Sequence, residues 1–145
     1  MTLRNLLGIS LDAITPNRET VARLIAAAER NLADAALPAL SAENRFDAAY
    51  KAIMQCAMVA LHVNGYRTLT SRPGHHQTAI QTLPQTVNLA TEKMIVLDAL
   101  RKQRNLADYD GDPVPDATVR ECIASARALL VHVKRWLGTN CPDLL

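Results

Sequence analysis

Aromatic side chains are scarce in this sequence: Phe and Trp occur once each and Tyr three times among 145 residues. That shortage excludes the ladder of stacking rings on which single-strand nucleic-acid binders lay successive bases. Cysteine is also sparse. Cys56, Cys122 and Cys141 form no CxxC or other metal-ligand spacing, and there is no HxxxH pair or carboxylate cluster to suggest zinc or magnesium. We therefore expect no metal site and no cofactor. An odd number of cysteines, two of them in apolar stretches, reads as reduced core thiols in a reducing compartment. Charge of one sign is lacking too. The net charge is only +2, so no global basic field advertises nucleic acid, and any such binding must come from a local patch. No apolar run is long enough to cross a membrane. The segment Met1-Thr2-Leu3-Arg4 soon meets Asp12 and Pro16, which is too interrupted for a signal peptide. A cytoplasmic protein without membrane attachment is expected.

What the chain does have is alanine and leucine. Apolar residues make up 49% and charged residues 21%, enough for a real core in one domain. Ala and Leu lose little on entering a helix, so helices are favoured over strands. No alternating strand pattern, internal repeat or low-complexity stretch is visible. The first helix is expected to start at Thr15-Pro16, with Thr15 as N-cap and Pro16 in the first turn. Val21, Leu24, Ile25, Ala28 and Leu32 then form one apolar face, and Pro38 ends it.

A second helix is expected from the N-cap Ser41, with Phe46, Tyr50, Ile53, Ala57, Ala60 and Leu61 as its stripe, to Asn64-Gly65. Tyr50 and Phe46 read as core rather than as stacking residues. A loop follows from Tyr66 to Gly74, then a weaker helix from His75-His76 that falters at Pro84. The fourth helix spans about 89–109, with Met94, Ile95, Leu97 and Leu100 apolar, and Gly111 ends it. Asp112-Pro113-Val114-Pro115 is a rigid break. Asp116 is expected to cap the last helix, whose face is Val119, Ile123, Ala126, Leu130, Val133 and Leu137, in alternating steps of four and three. The expectation is an all-α, up-down bundle of four to five helices in one domain, residues 1–145. Its core runs from about 16 to 137, followed by a flexible tail over 138–145.

One local feature stands out. Arg101, Arg104, Asn105 and Asp108 fall at i, i+3, i+4 and i+7 of the fourth helix and share one face. Arg104 can pair with Asp108 across one turn. Tyr109 lies about 140° round from Arg104, beside the stripe. From periodicity alone, a solvated helix end with a pair worth about 0.3–0.5 kcal/mol explains this stripe.

The segment Arg104-Asn105-Leu106-Ala107-Asp108-Tyr109-Asp110 resembles the signature on a late helix of HEPN proteins (higher eukaryotes and prokaryotes nucleotide-binding). Many of these carry Arg-Asn, three further residues, then His. This chain resembles a subset with Arg-Asn-x-Ala-Asp-Tyr instead. Arg45-Phe46-Asp47-Ala48-Ala49-Tyr50-Lys51-Ala52 resembles the early helix of that family, and Gly74-His75-His76 the turn before its third helix. The resemblance covers about residues 41–135 in order.

It implies a HEPN-like helical bundle that forms a homodimer. In catalytic members, Arg and His of both protomers meet in a shared cleft and cut RNA without a metal. A phosphate-facing Arg fork and a His titrating near neutrality suit that chemistry. Here Tyr109 stands where the His is expected. A tyrosine, with an ordinary pKa near about 10, is a poor base at neutral pH. The main expectation is therefore a nucleotide- or RNA-binding or partner-binding domain. Arg101, Arg104, Asn105, Asp108 and Tyr109 would line the ligand or dimer cleft. A nucleotidyltransferase-like antitoxin is the partner the resemblance suggests.

The alternatives are a metal-independent, toxin-like ribonuclease with Arg104 and Tyr109 catalytic, and a structural dimerisation bundle without ligand. His75 and His76 adjoin a basic loop with Arg67 and Arg72 and are candidate phosphate contacts, although a helix start with exposed side chains is the favoured reading. His62 and His132, on apolar helices, read as packed or half-exposed residues. Lys134, Arg135 and Arg127 read as a solvated face, and Trp136 as a seal on the bundle edge.

Overall fold

The computed structural model describes residues 2–71 and 73–145. Four long helices carry the architecture: α1 (Arg18–Ala35), α2 (Ala42–Val63), α5 (Thr91–Asp110) and α6 (Asp116–Asn140). Two short ones, α3 (His75–Gln81) and α4 (Leu83–Val87), sit between α2 and α5. The chain is an all-α bundle, as its composition and periodicity require. α2 is the central element and packs chiefly on α1 and α6. Its stripe is fully buried, and Ala49, Ala52, Ala57 and Ala60 have no exposed surface. These small side chains let neighbouring helices approach closely, while Phe46, Tyr50, Ile53 and Leu61 supply the bulk. Each such large side chain contributes about 1.5–3 kcal/mol through burial. All six residues expected on the α6 face are buried as well.

Local chemistry moved several boundaries. Asn17, not Thr15, caps α1: its side chain accepts the Thr20 amide at 2.8 Å, and Pro16 lies before the cap. Ser41 caps α2 as expected, accepting from the Asn44 amide at 3.2 Å. Pro84 does not end the third helix; it sits in the first turn of α4, where its missing N–H costs nothing. The break comes at Thr82, whose hydroxyl donates back to the Thr78 and Ala79 carbonyls. Asp116 is the first residue of α6 rather than its cap, a position where its charge suits the helix dipole. Residues 138–145 do not form a free tail. α6 continues to Asn140, and a 3₁₀ turn over Pro142–Leu144 lays Leu144 and Cys141 against the core.

A two-stranded ribbon was not expected. β1 (Leu11–Ala13) pairs antiparallel with β2 (Tyr66–Thr68), Asp12 opposite Arg67. Leu11 is fully buried, and Asp12 and Arg67 form an exposed ion pair at 3.0 Å. The ribbon thus ties the segment before α1 to the end of α2. His62 reinforces the tie, its Nε2 accepting the Asn17 amide at 2.9 Å. Partial burial lowers the pKa of this ring, and an accepting Nε2 requires the neutral form. His132, also half-buried, contacts the Val87 carbonyl through Nε2 at 2.7 Å and so links α6 to α4.

α5 ends at Gly111, whose φ of 70° is left-handed. A Cβ there would meet nothing within 4 Å, so a side chain is penalised only by backbone strain. Gly111→Ala is expected to lower the unfolding free energy by about 1–2 kcal/mol in urea denaturation. An unchanged midpoint would contradict the αL cap. Beyond it, Val114 is buried between two prolines and anchors the connection to α6.

Candidate functional site

The stripe on α5 does share one face, but its members do different things. Arg101 is largely buried and donates its Nε to Asp98 Oδ1 at 2.8 Å. Lys102 approaches Asp98 Oδ2 at 3.8 Å, and Gln81 of α3 donates to the same oxygen at 3.5 Å. Burial alone would raise the Asp98 carboxyl. The hydrogen bond and charge of Arg101, helped by Gln81 and Lys102, outweigh it and hold the pKa below the ordinary value.

Arg104 is the hub. Its Nε donates to Asp47 Oδ1 of α2 at 3.2 Å, and its Nη2 approaches Asp108 Oδ2 at 3.5 Å, the pairing expected across one turn. Its guanidinium carbon stands 5.1 Å from the centroid of the Tyr50 ring, within cation–π range. The Tyr50 hydroxyl in turn lies 3.2 Å from His76 Nδ1. Three helices therefore meet here: α2 gives Asp47 and Tyr50, α3 gives His76, and α5 gives Arg104. His75 packs edge-on against the His76 ring with centroids 4.5 Å apart. Both histidines are half-buried rather than exposed at a helix start.

The electrostatics follow from the packing. Burial pushes the Tyr50 hydroxyl up to about 12 against the pull of Arg104 and Arg101, so Tyr50 stays protonated. Burial also lowers the pKa of His76, and the nearby His75, Arg104 and Arg101 lower it further. His76 is thus neutral at pH 7. When its Nδ1–H donates to the Tyr50 oxygen, Nε2 carries a lone pair and can take up a proton. In the other tautomer the Tyr50 hydroxyl donates to Nδ1, and Nε2–H is a donor. Either form places a neutral imidazole within electrostatic reach of the Arg104 guanidinium, with Tyr50 in contact with both, and the two groups have the chemistry to hold an anionic oxygen and to move a proton.

Two expected members lie apart. Tyr109 is 85% exposed at the last turn of α5, and among the described residues it has no contact with Arg104 or His76. Its place is fixed by the 140° offset from Arg104, which turns its ring to solvent. Asn105 is exposed, and its side chain makes no hydrogen bond among the described residues. Tyr50 is core and His76 lies in the first turn of α3, as the sequence indicates; their meeting is what the sequence does not show. Only a contact across 26 residues joins them, and periodicity carries no trace of it. Arg72 of the basic loop lies outside the described residues, and Arg67 is engaged with Asp12.

Among the described residues, no group of three or more His, Cys, Asp or Glu side chains is placed to hold a metal. No described helix is long and apolar enough to cross a membrane. All three cysteines are free. Burial raises the Cys56 and Cys122 thiols to about 12, so neither is a nucleophile. No family model matches this chain, and neither does any curated protein or solved structure.

Proposed function

We propose that the chain is a HEPN-like domain that binds a phosphate of RNA or of a nucleotide at Arg104, with His76 and Tyr50 beside it. The observation that carries this reading is the meeting of Arg104, Tyr50 and His76 from three separate helices at 3.2 and 5.1 Å. A purely structural stripe has no need of a half-buried neutral histidine joined to an arginine through a buried tyrosine. An incoming phosphate competes with Asp47 and Asp108 for the guanidinium, so binding is modest and falls with salt.

A second reading is favoured by the same histidine. With His76 taking the proton and Arg104 holding the phosphate, the site has the two groups that metal-independent RNA cleavage requires. Tyr109 is then dispensable. A homodimer, or a partner such as a nucleotidyltransferase-like antitoxin, is supported by α5 itself. Ile95, Leu106 and Tyr109 are exposed on it and fall within about 60° of one another at 100° per residue.

The test measures binding of a fluorescent single-stranded RNA, and its cleavage with chelator present, for wild type, Arg104→Ala, His76→Gln and Tyr109→Phe. Arg104→Ala is expected to weaken binding at least tenfold and Tyr109→Phe to leave it unchanged. Cleavage by wild type that His76→Gln abolishes would select the ribonuclease reading. RNA affinity identical in wild type and Arg104→Ala would overturn the assignment of the site.

A further inference from the structure

Away from this site, the first half of α6 and the α1–α2 junction form an open cleft of about 260 Å³ lined by Ala36, Arg45, Arg120, Ile123, Ala124 and Arg127. Half of its lining residues are arginines. Arg120 and Arg127 are exposed and seven residues apart, so they project from the same face of α6, about 10.5 Å apart along its axis. Among the described residues, neither side chain makes an ion pair or a hydrogen bond. The carboxylates of Asp116 and Glu121, the acidic residues nearest to them in sequence, come within 4.0 Å of neither guanidinium. Arg45 is half-buried and held in place: its Nε donates to the Ala35 carbonyl at 2.8 Å. That bond leaves its two terminal nitrogens without a described partner. Elsewhere the cationic side chains of the candidate site are matched by carboxylates, as Arg101 and Arg104 are. Arg18, Arg30 and Arg135 are likewise exposed without an ion pair among the described residues; what sets Arg45, Arg120 and Arg127 apart is that the three line one concavity.

We propose that this cleft binds an oligophosphate chain, inorganic or carried by a nucleotide, through its phosphates alone. Guanidinium forks match phosphate oxygens in pairs, and Arg45 is already oriented by its backbone bond. The apolar floor of Ala36, Ile123 and Ala124 offers no ring on which a base could stack, so the nucleoside is not read. A long nucleic acid is disfavoured because the chain's net charge of +2 provides no extended basic track. The cleft does not depend on the reading of the Arg104 site. Arg45 and Asp47 are two residues apart on α2 and point about 200° from each other, so the two sites lie on different sides of that helix.

Titration calorimetry at low ionic strength with inorganic tripolyphosphate, with ATP and with a ten-nucleotide RNA tests the proposal. Tripolyphosphate and ATP are expected to bind alike, within about threefold. The double variant Arg120→Gln, Arg127→Gln should weaken both at least tenfold; both residues are exposed, so its thermal unfolding should match wild type. All titrations are made in an Arg104→Ala background, which removes the phosphate-binding residue of the other site and leaves the signal of this cleft alone. Absence of tripolyphosphate binding, or binding that the double variant retains, would overturn the site. ATP bound tenfold more tightly than tripolyphosphate would overturn its indifference to the base. RNA bound more tightly than tripolyphosphate through Arg120 and Arg127 would overturn the ligand class.

Discussion

Tyr50→Ala is expected to cost about 3–5 kcal/mol of unfolding free energy, the range for removing a buried aromatic side chain. The ring is only 1% exposed, at the centre of α2. It fills the space among α2, α3 and α5, and it also supports the Arg104 guanidinium. Truncation removes the core contact and the floor of the site together. Tyr50→Phe keeps the ring and deletes only the hydroxyl, leaving His76 Nδ1 without its partner. That change is expected to cost about 1 kcal/mol. Urea denaturation of the three proteins checks this, provided the slopes agree. A loss below about 1.5 kcal/mol for Tyr50→Ala would show that the ring does not pack as described.

The second large effect concerns Asp98. Asp98→Ala leaves Arg101, with a side chain only 14% exposed, without its carboxylate. Removing one member of a buried pair costs about 3–5 kcal/mol. The residual exposure and the replaceable contact of Lys102 place the expectation near about 3 kcal/mol. The pH dependence has a definite sign. The folded pKa of Asp98 is depressed below its ordinary 3.8. Its contribution is therefore fully present above that value and is lost as pH falls through the folded pKa. The stability gap between wild type and Asp98→Ala should narrow below about pH 4. His62 and His76 act in a separate window. Their folded pKa values lie below the ordinary 6.5, so the unfolded chain takes up protons first. Wild-type stability should begin to fall as pH drops below about 6.5. A stability constant from pH 7 to 5 would contradict the burial of both rings.

The long helices α1, α2 and α6 could be read from the sequence because their apolar faces repeat over about three to five turns. The stripes of α2 and α6 are wholly buried as that repetition requires. Short elements escaped for a physical reason. Three residues per strand are too few to show alternation, and β1 and β2 are held by pairing across 55 residues rather than by local preference. The caps shifted because Thr15 and Asn17 are both competent caps, and only the chain path selects between them. Half of the candidate site could also be foreseen. Arg101, Arg104 and Asp108 share a face by helix geometry alone. Asp47, Tyr50 and His76 could not be joined to them, since each looked complete within its own helix. The resemblance points to Tyr109, whereas tertiary packing sets Tyr50 against Arg104 and His76 against Tyr50.

The proposal that Arg104, Tyr50 and His76 form one phosphate-binding site makes a definite prediction for the His76 imidazole, followed by NMR through a pH titration with and without a short single-stranded RNA. In the free protein the ring should titrate below its ordinary 6.5. Bound RNA should raise that value, because a phosphate at Arg104 favours the charged imidazole, and Arg104→Ala should abolish the rise. A His76 that titrates at 6.5 or above, and that saturating RNA does not move, would contradict the account.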